Sequence, residues 1–455
     1  MKETLSGYLR KQGYDTPSDL TYSHIDEWLE WYQNDVENFH KYKVYTGVNI
    51  RQEERYRLGM AKTVSEDWAN LLMNERVDVR CEDELQNDVL QEALQRNNFR
   101  IRANQLVEIA FALGTGAITV YANADGLAEV DYIRADCICP ISWDNGDIIE
   151  CAFGSERRYN GKQALFVSIH RKGREEDGED PDVYYIENHV VNEDTGNEMP
   201  LPDNVADLIG TGSTEPMFSI ITPNVFNNID IESPLGISVY ANAIWELKGC
   251  DLVYDSYMNE FVLGRKRVLV GQRAVARMME NDGVTVPAFD PNDTVFVTYT
   301  DNAAEDQTPI KEIDMQLRAN EHELAIQRAL DLLSMKCGLG PGYYRFDNGV
   351  MKTATEVVSS NSKLYRNLCK HELIPDFALK RVARNILFVE MGIEDPDITI
   401  DFDDSVIEDT DKERTTDRQD VAMGAMQLWE YRKKYYGGTD EEAKEAIFVP
   451  AEVIE

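Results

Sequence analysis

Histidines, cysteines and clustered carboxylates are the side chains through which a chain could bind metal or run acid–base and nucleophilic chemistry. In this sequence their spacing argues against all three. His322-Glu323 and His371-Glu372 each begin like a zinc-protease HExxH motif, but Ile326 and Pro375 stand where the second histidine belongs. The other histidines, His24, His40, His170 and His189, share no ligand spacing. Cys137-x-Cys139 lies in a strand-like run without a second pair, which reads as core packing rather than a metal site. Asp401, Asp403, Asp404, Glu408, Asp409 and Asp411 could chelate a divalent cation, yet lack the spaced ligands and glycine of an EF-hand. A solvated or interfacial charge run is the simpler reading. No GxxxxGK[ST] or GxSxG occurs, and Gly114-x-Gly116 and Gly210-x-Gly212 lack the third glycine of a dinucleotide fold. The reading is therefore of a non-enzyme with no catalytic residues, no metal and no cofactor. A metal-dependent enzyme built on the 401–411 carboxylates is the weak alternative, and divalent-metal dependence would be its signature.

One basic cluster stands out: Arg265, Lys266, Arg267, Arg273 and Arg277. It is either a helix end whose dipole favours cations or a contact for phosphate or an acidic partner. Lys336, Arg345 and Lys352 bracket a glycine-rich stretch, Gly338 to Gly349, which must be irregular. These cations sit in an acidic background. The 455 residues hold 46 Lys+Arg against 83 Asp+Glu, a formal charge of −37. Such a balance excludes a protein that grips nucleic acid over a broad surface, and one that binds anionic membranes.

The elements that must carry these residues can be read from periodicity. The length suggests two to four folding units, and 43% hydrophobic residues suffice for sizeable cores. Seven scattered cysteines point to reduced thiols. The opening MKETLSGYLRKQGYD has no apolar signal segment, and the uncharged stretch Ile109 to Ala124 is too short for a membrane span. The first hundred residues predict helices: one with Ser23-x-x-Asp26 as a capping box, one through Leu58, Ala61, Val64, Trp68 and Leu71, one through Leu85, Val89 and Ala93, and one ending at Gly114. The period then changes to two. AITVYA, LAEVDYI, CICPISW, DIIECAF, QALFVSI and DVYYIE, separated by turn signals such as Asn145-Gly146 and Asn160-Gly161, predict an antiparallel meander. Residues 188–223 read as loop.

From Gly236 a long helix is expected, with the stripe Val239, Ala243, Leu247, Cys250, Tyr254, Tyr257 and Phe261. A small α/β piece follows, with VLV at 268–270, a short helix near Arg273–Met279 and TVFVTY at 294–299. A second long helix, from about Asp314 to Lys336, carries Ile326, Leu330, Leu333 and Cys337 on one face. The plan is a helical hairpin with a small domain at its tip. Beyond the glycine stretch, Thr353-x-x-Glu356 caps a very long helix that Pro375 should kink rather than stop. The strand ITIDF and C-terminal helices complete the chain.

Several segments together resemble the portal, or head–tail connector, proteins of tailed bacteriophages, of the Siphoviridae type found in phages of Gram-positive hosts. They are Tyr132-Ile133-Arg134-Ala135-Asp136 through Pro140-Ile141-Ser142-Trp143-Asp144-Asn145-Gly146, Ser233-Pro234-Leu235-Gly236, Thr353-Ala354-Thr355-Glu356-Val357 with Ser359, Ser360 and Ser362, and Asp401-Phe402-Asp403-Asp404-Ser405. The resemblance implies an α+β portal fold: a wing (1–235), an outgoing stem helix (236–264), a clip (265–312), a returning stem helix (313–337), a tunnel loop (338–352), a long kinked helix and following strand (353–404) and a crown (405–455). It implies a ring, usually of twelve copies, at one capsid vertex of the virion, assembled in the host cytoplasm. Double-stranded DNA would pass through its channel. The implied partners are the terminase large subunit, a head-completion adaptor, and scaffolding and major capsid proteins, with no membrane. Carried over, Lys336, Arg345, Asn348 and Lys352 would face DNA, and Arg265, Lys266, Arg267, Arg273 and Arg277 would meet a partner. The stripe Val239, Ala243, Leu247, Tyr254, Tyr257 and Phe261 would pack between subunits. Another virion assembly protein without a channel is the nearer alternative.

Overall fold

The computed structural model describes residues 4–444 apart from 46, 48, 75–76, 265–266, 272–295, 300–309, 314–315, 346–353, 403–409 and 437–442. Helices and strands alternate in blocks. The first block is α1 (Leu5–Lys11), α2 (Asp19–Tyr32), α3 (Glu37–His40), β1 (Lys41–Tyr45), β2 (Ile50–Glu54), α4 (Met60–Leu72), β3 (Asp78–Cys81), α5 (Glu84–Arg96) and α6 (Phe99–Leu113). Next come β4 (Gly116–Ala122), β5 (Ala128–Arg134), β6 (Ile138–Asp144), β7 (Asp147–Tyr159), β8 (Lys162–Lys172), β9 (Tyr184–Asn192), β10 (Glu198–Met199), β11 (Leu208–Gly210) and β12 (Phe218–Ile221). The rest is α7 (Ile244–Leu263), β13 (Arg267–Gly271), β14 (Phe296–Tyr299), β15 (Ile310–Ile313), α8 (Ala319–Lys336), α9 (Ala354–Met391), β16 (Ile398–Asp401), α10 (Thr410–Met423) and α11 (Leu428–Tyr436).

Four helices appear where the periodicity puts them, with two local corrections. The cap of α2 is Ser18, whose side chain accepts from the Thr21 N–H, and Ser23 sits within the helix with its hydroxyl donating to the Leu20 carbonyl. Pro17 holds the chain extended just before this cap, so the helix starts one turn earlier than the Ser23 signal suggests. In α5 the buried face is Leu90, Ala93 and Leu94, while Leu85 is exposed, because β3 and α9 cover the opposite side of the turn.

The meander is real from β6 to β10, in the order β10-β9-β8-β7-β6, with β11 also on β9. Asn145-Gly146 and Asn160-Gly161 join its hairpins as two-residue loops in which both residues take positive φ. That is the mirror-image turn whose twist matches the strands. β4 and β5 are not part of this sheet; they pair with β12 as a separate three-stranded sheet. The stretch read as loop from 188 to 223 therefore contributes the end of β9 together with β10, β11 and β12. Its strands are short and fall among turn residues, so no period of two can emerge.

One large core joins α2, α4–α6, the β4–β5–β12 sheet, the inner ends of α7 and α8, and α9. A smaller one lies between α1 and the meander. The chain re-enters the large core at the Ser233–Gly236 segment. Gly114 ends α6 with φ +89°, and a Cβ on it would stand 2.6 Å from the Gly236 carbonyl oxygen. A Cβ on Gly236 would in turn meet the Gly114 carbonyl at 2.3 Å. Two backbones cross in contact there, and only glycine at both positions allows it. Gly236 N–H donates to Thr115 Oγ1 and Val239 N–H to the Phe111 carbonyl, locking the crossing. This contact also delays the helix: residues 236–243 form a docked segment ending in a 3-10 turn, and α7 begins only at Ile244.

Two buried imidazoles make the core sensitive to acid. His170 lies edge-on to Phe153 and Phe218, and its Nδ1 has no hydrogen-bond partner among the described residues. Burial lowers its pKa to about 3, and that of His371 to about 4. Both folded values lie below the unfolded value near 6.5. The unfolded chain then takes up protons first, so stability is full above pH 6.5 and declines as pH falls towards these values, by about 1.4 kcal/mol per pH unit for each ring. His170→Phe, a near match in shape, is expected to remove one of these contributions. Denaturant midpoints measured between pH 7 and 4.5 should fall less steeply than in the parent chain.

Candidate functional site

α7 and α8 form an antiparallel hairpin that carries a three-stranded sheet at its tip, in the order β14-β13-β15, with β13 parallel to β14 and antiparallel to β15. The hairpin is held at both ends by charge. Near the tip Arg318 donates to both oxygens of Glu260, at 3.1 and 2.7 Å, and His322 stands 3.6 Å from the same carboxylate. The Arg318 hydrogen bonds lower the Glu260 pKa to about 2. At the base Lys336 faces Glu246 at 3.8 Å.

Between them, α7 is bonded to the N-terminal body through two buried carboxylates. Asp251 accepts from the Leu58 N–H at 2.8 Å and from His40 Nε2 at 3.0 Å. His40 Nδ1 accepts from the Val36 N–H at 2.8 Å, so the ring proton sits on Nε2 and points at Asp251. One turn on, Asp255 accepts from the Tyr56 N–H at 2.9 Å. Two acids four residues apart on a helix's core side are costly unless each is hydrogen-bonded, as both are here. Sequence reasoning missed them. The available signal was Asp251 and Asp255 falling beside the apolar stripe rather than opposite it.

The glycine-rich segment is anchored at its start. Trp68 Nε1 donates to the Cys337 carbonyl at 3.0 Å, and Asn367 Nδ2 to the Gly338 carbonyl at 2.6 Å. Tyr344 donates to Asp67 at 2.7 Å and receives Gln327 Nε2 on its carbonyl at 2.6 Å. Gly338 has φ +87°, and a Cβ there would press on Trp68 and Asn367 at 3.3 Å. Contacts from α4, α8 and α9 thus fix residues 338–345. The expected irregularity is present, but this half of the segment is pinned.

The residues singled out from sequence are scattered. Lys336 ends α8 beside Glu246, and Arg345 folds its guanidinium over Gly342. Arg267 pairs through its backbone with Ile313. Asn348, Lys352, Arg265, Lys266, Arg273 and Arg277 lie outside the described residues, as do the short helix near Arg273–Met279 and most of the carboxylates near 401–411. Pro375 lies inside α9, which continues through it. The α7 stripe does not face outwards: Val239, Ala243 and Leu247 are buried in the chain's own core, with Tyr254 and Tyr257 packed against it. α8 is the covering partner, through Ile326, Leu330, Leu333 and Cys337, all buried as their spacing predicts. Phe261 at the tip end remains exposed, its ring against Tyr257. Among the described residues no cluster could hold a metal ion and no helix is long and apolar enough to cross a membrane.

The fold is a helical hairpin presenting a small sheet beyond a mixed helix–sheet body, and comparison with known families places the chain among phage virion structural proteins. Residues 14–447 match the family described as phage portal protein, SPP1 Gp6-like, and the chain belongs to that family. No curated protein matches it. Solved structures with a related course include the neck of a native gene transfer agent particle computed with C12 symmetry (TM-score 0.41, 13% identity) and the virion of a native gene transfer agent particle (TM-score 0.38, 14% identity). Each match covers 82% of this chain and 88% of the other.

Proposed function

We propose that this chain is the subunit of a closed dodecameric ring at one capsid vertex, through which double-stranded DNA is packaged by the terminase and later ejected. The same ring would be the platform for head-completion and tail proteins. The observation that carries the reading is family membership over nearly the whole chain. In this reading residues 1–235 are the wing, α7 and α8 the stem, 265–312 the clip, 338–352 the tunnel loop, α9 the kinked helix and 405–455 the crown. Lys336, Arg345, Asn348 and Lys352 face the duplex, and the cations at 265–277 meet the motor or the adaptor.

Electrostatics supports such a passage. Twelve copies carry roughly 12 × −37 = −444 formal charges. DNA must slide through the ring, and a broadly basic wall would hold it by counterion release. A few cations on an anchored loop would guide the duplex with little drag. The acids of α7 are not available for that wall, since Glu246, Asp251, Asp255 and Glu260 all face partners in their own chain.

The test is the mass and shape of the purified protein. A hollow particle of roughly 620 kDa, twelve times 51.9 kDa, is expected by light scattering and negative-stain imaging. A compact dimer would overturn the proposal.

A further inference from the structure

With its apolar stripe buried, α7 turns a second face outwards, and this face has its own pattern. Trp245 is 80% exposed and Leu252 50% exposed, and between them on the same side lies Gly249. Glycine costs a helix stability relative to alanine. Here nothing in the chain requires it: a Cβ on Gly249 would meet no atom within 4 Å. A notch flanked by two exposed apolar side chains is shaped to receive a side chain from outside the subunit.

The charge pattern indicates what the visitor is. Copies of a chain at −37 repel one another, so a face that carries no carboxylate is where two copies approach at least electrostatic cost. The outward positions Trp245, Lys248, Gly249, Leu252 and Ser256 include none, because the acids of this stretch point inwards. On α8 the side turned from the core carries Leu324, Leu332 and Met335, all exposed, with Arg328 among them and Glu321 nearer the tip. The two ion pairs of the hairpin, Glu246 with Lys336 and Glu260 with Arg318, set the register of the helices. By that register Gly249 lies level with Leu332, and Met335 lies about a turn nearer the base. In the ring proposed above, with α7 and α8 as a stem running along the ring axis, rotation preserves height, so the α7 notch of one copy would meet the α8 knobs of the next.

We infer that the Trp245–Gly249–Leu252 face is the socket of a heterologous contact, filled by Leu332 and Met335 of the adjacent copy of this chain. The inference rests on the ring proposed above and names its contact. An interface of this kind uses two different faces per subunit, so it does not stop at a dimer and makes a ring when the rotation closes.

Gly249→Leu in the full chain fills the socket. At dilution its thermal midpoint should stay level or rise, since the position is open within the chain and helix propensity improves. The assembled fraction at micromolar protein should fall at least about tenfold, the equivalent of one clash per interface. A second measurement does not depend on that variant. Chains carrying Gly249→Cys mixed with chains carrying Leu332→Cys should form a mixed disulfide dimer on mild oxidation, and the doubly substituted chain a ladder. Gly249→Cys alone should give no dimer. If the parent chain assembles and Gly249→Leu assembles equally well, the socket is refuted while the ring stands. A dimer from Gly249→Cys alone would refute the heterologous geometry. A parent chain that stays monomeric at all concentrations would overturn the ring and the socket together.

Discussion

Asp251→Ala should be among the most damaging single substitutions in the subunit, lowering its unfolding free energy by about 3 kcal/mol or more. The carboxylate is 3% exposed and receives two hydrogen bonds, from the Leu58 backbone and from His40 Nε2. Removing it leaves both donors buried without an acceptor, and His40 has no alternative because its other nitrogen is already committed to the Val36 N–H. An unmade buried hydrogen bond costs the desolvation of the donor, and here two donors are left without their acceptor. The effect should be largely structural to one seam: the 36–58 segment would separate from α7. Denaturant unfolding would measure the loss. Hydrogen exchange should show the Leu58 and Tyr56 amides losing protection before those of the meander. A stability change under about 1 kcal/mol would refute the account.

The second large effect is expected at Trp68. Its side chain is fully buried, its Nε1 holds the Cys337 carbonyl, and its ring stands edge-on to His371 at 4.7 Å and beside Phe111 at 6.0 Å. Trp68→Ala opens a cavity among α4, α6 and α9 and should cost about 3–5 kcal/mol. Trp68→Phe keeps most of the packing and loses the hydrogen bond, so about 1 kcal/mol is expected. The pair separates packing from anchoring. If Trp68 anchors the glycine-rich segment, Trp68→Phe should also raise exchange or proteolysis at residues 338–345 beyond what its small stability loss explains. Equal protection of that segment in the two chains would confine Trp68 to a packing role.

Much of the architecture was legible because it is written in local pattern. The α8 face of Ile326, Leu330, Leu333 and Cys337, the Asn-Gly turns of the meander, Gly114 as the end of α6 and the change of period after it all follow from side-chain spacing and backbone freedom. So does the family resemblance, carried by short segments in the right order. The candidate site was less legible. Its cations were found by type, but several lie beyond the described residues, and the acids that fasten α7 to the body were read as part of a general acidic background.

Local pattern was enough for the long helices, the meander strands and the hairpin plan, because hydrophobic period and turn chemistry act within a few residues. The short strands β1–β3 and β10–β12 were not legible, since each spans only two to five residues. Which side of α7 is the inside depends on packing against distant parts of the chain. Val239, Ala243 and Leu247 had the spacing of a contact face, but spacing gives only the phase of an apolar stripe and not what covers it. The crossing of Gly114 with Gly236 and the ties from Asp251 and Asp255 turn that stripe into the chain's own core. They leave Trp245, Gly249 and Leu252 facing out, since contacts between residues a hundred or more positions apart cannot be read from the period of either segment alone.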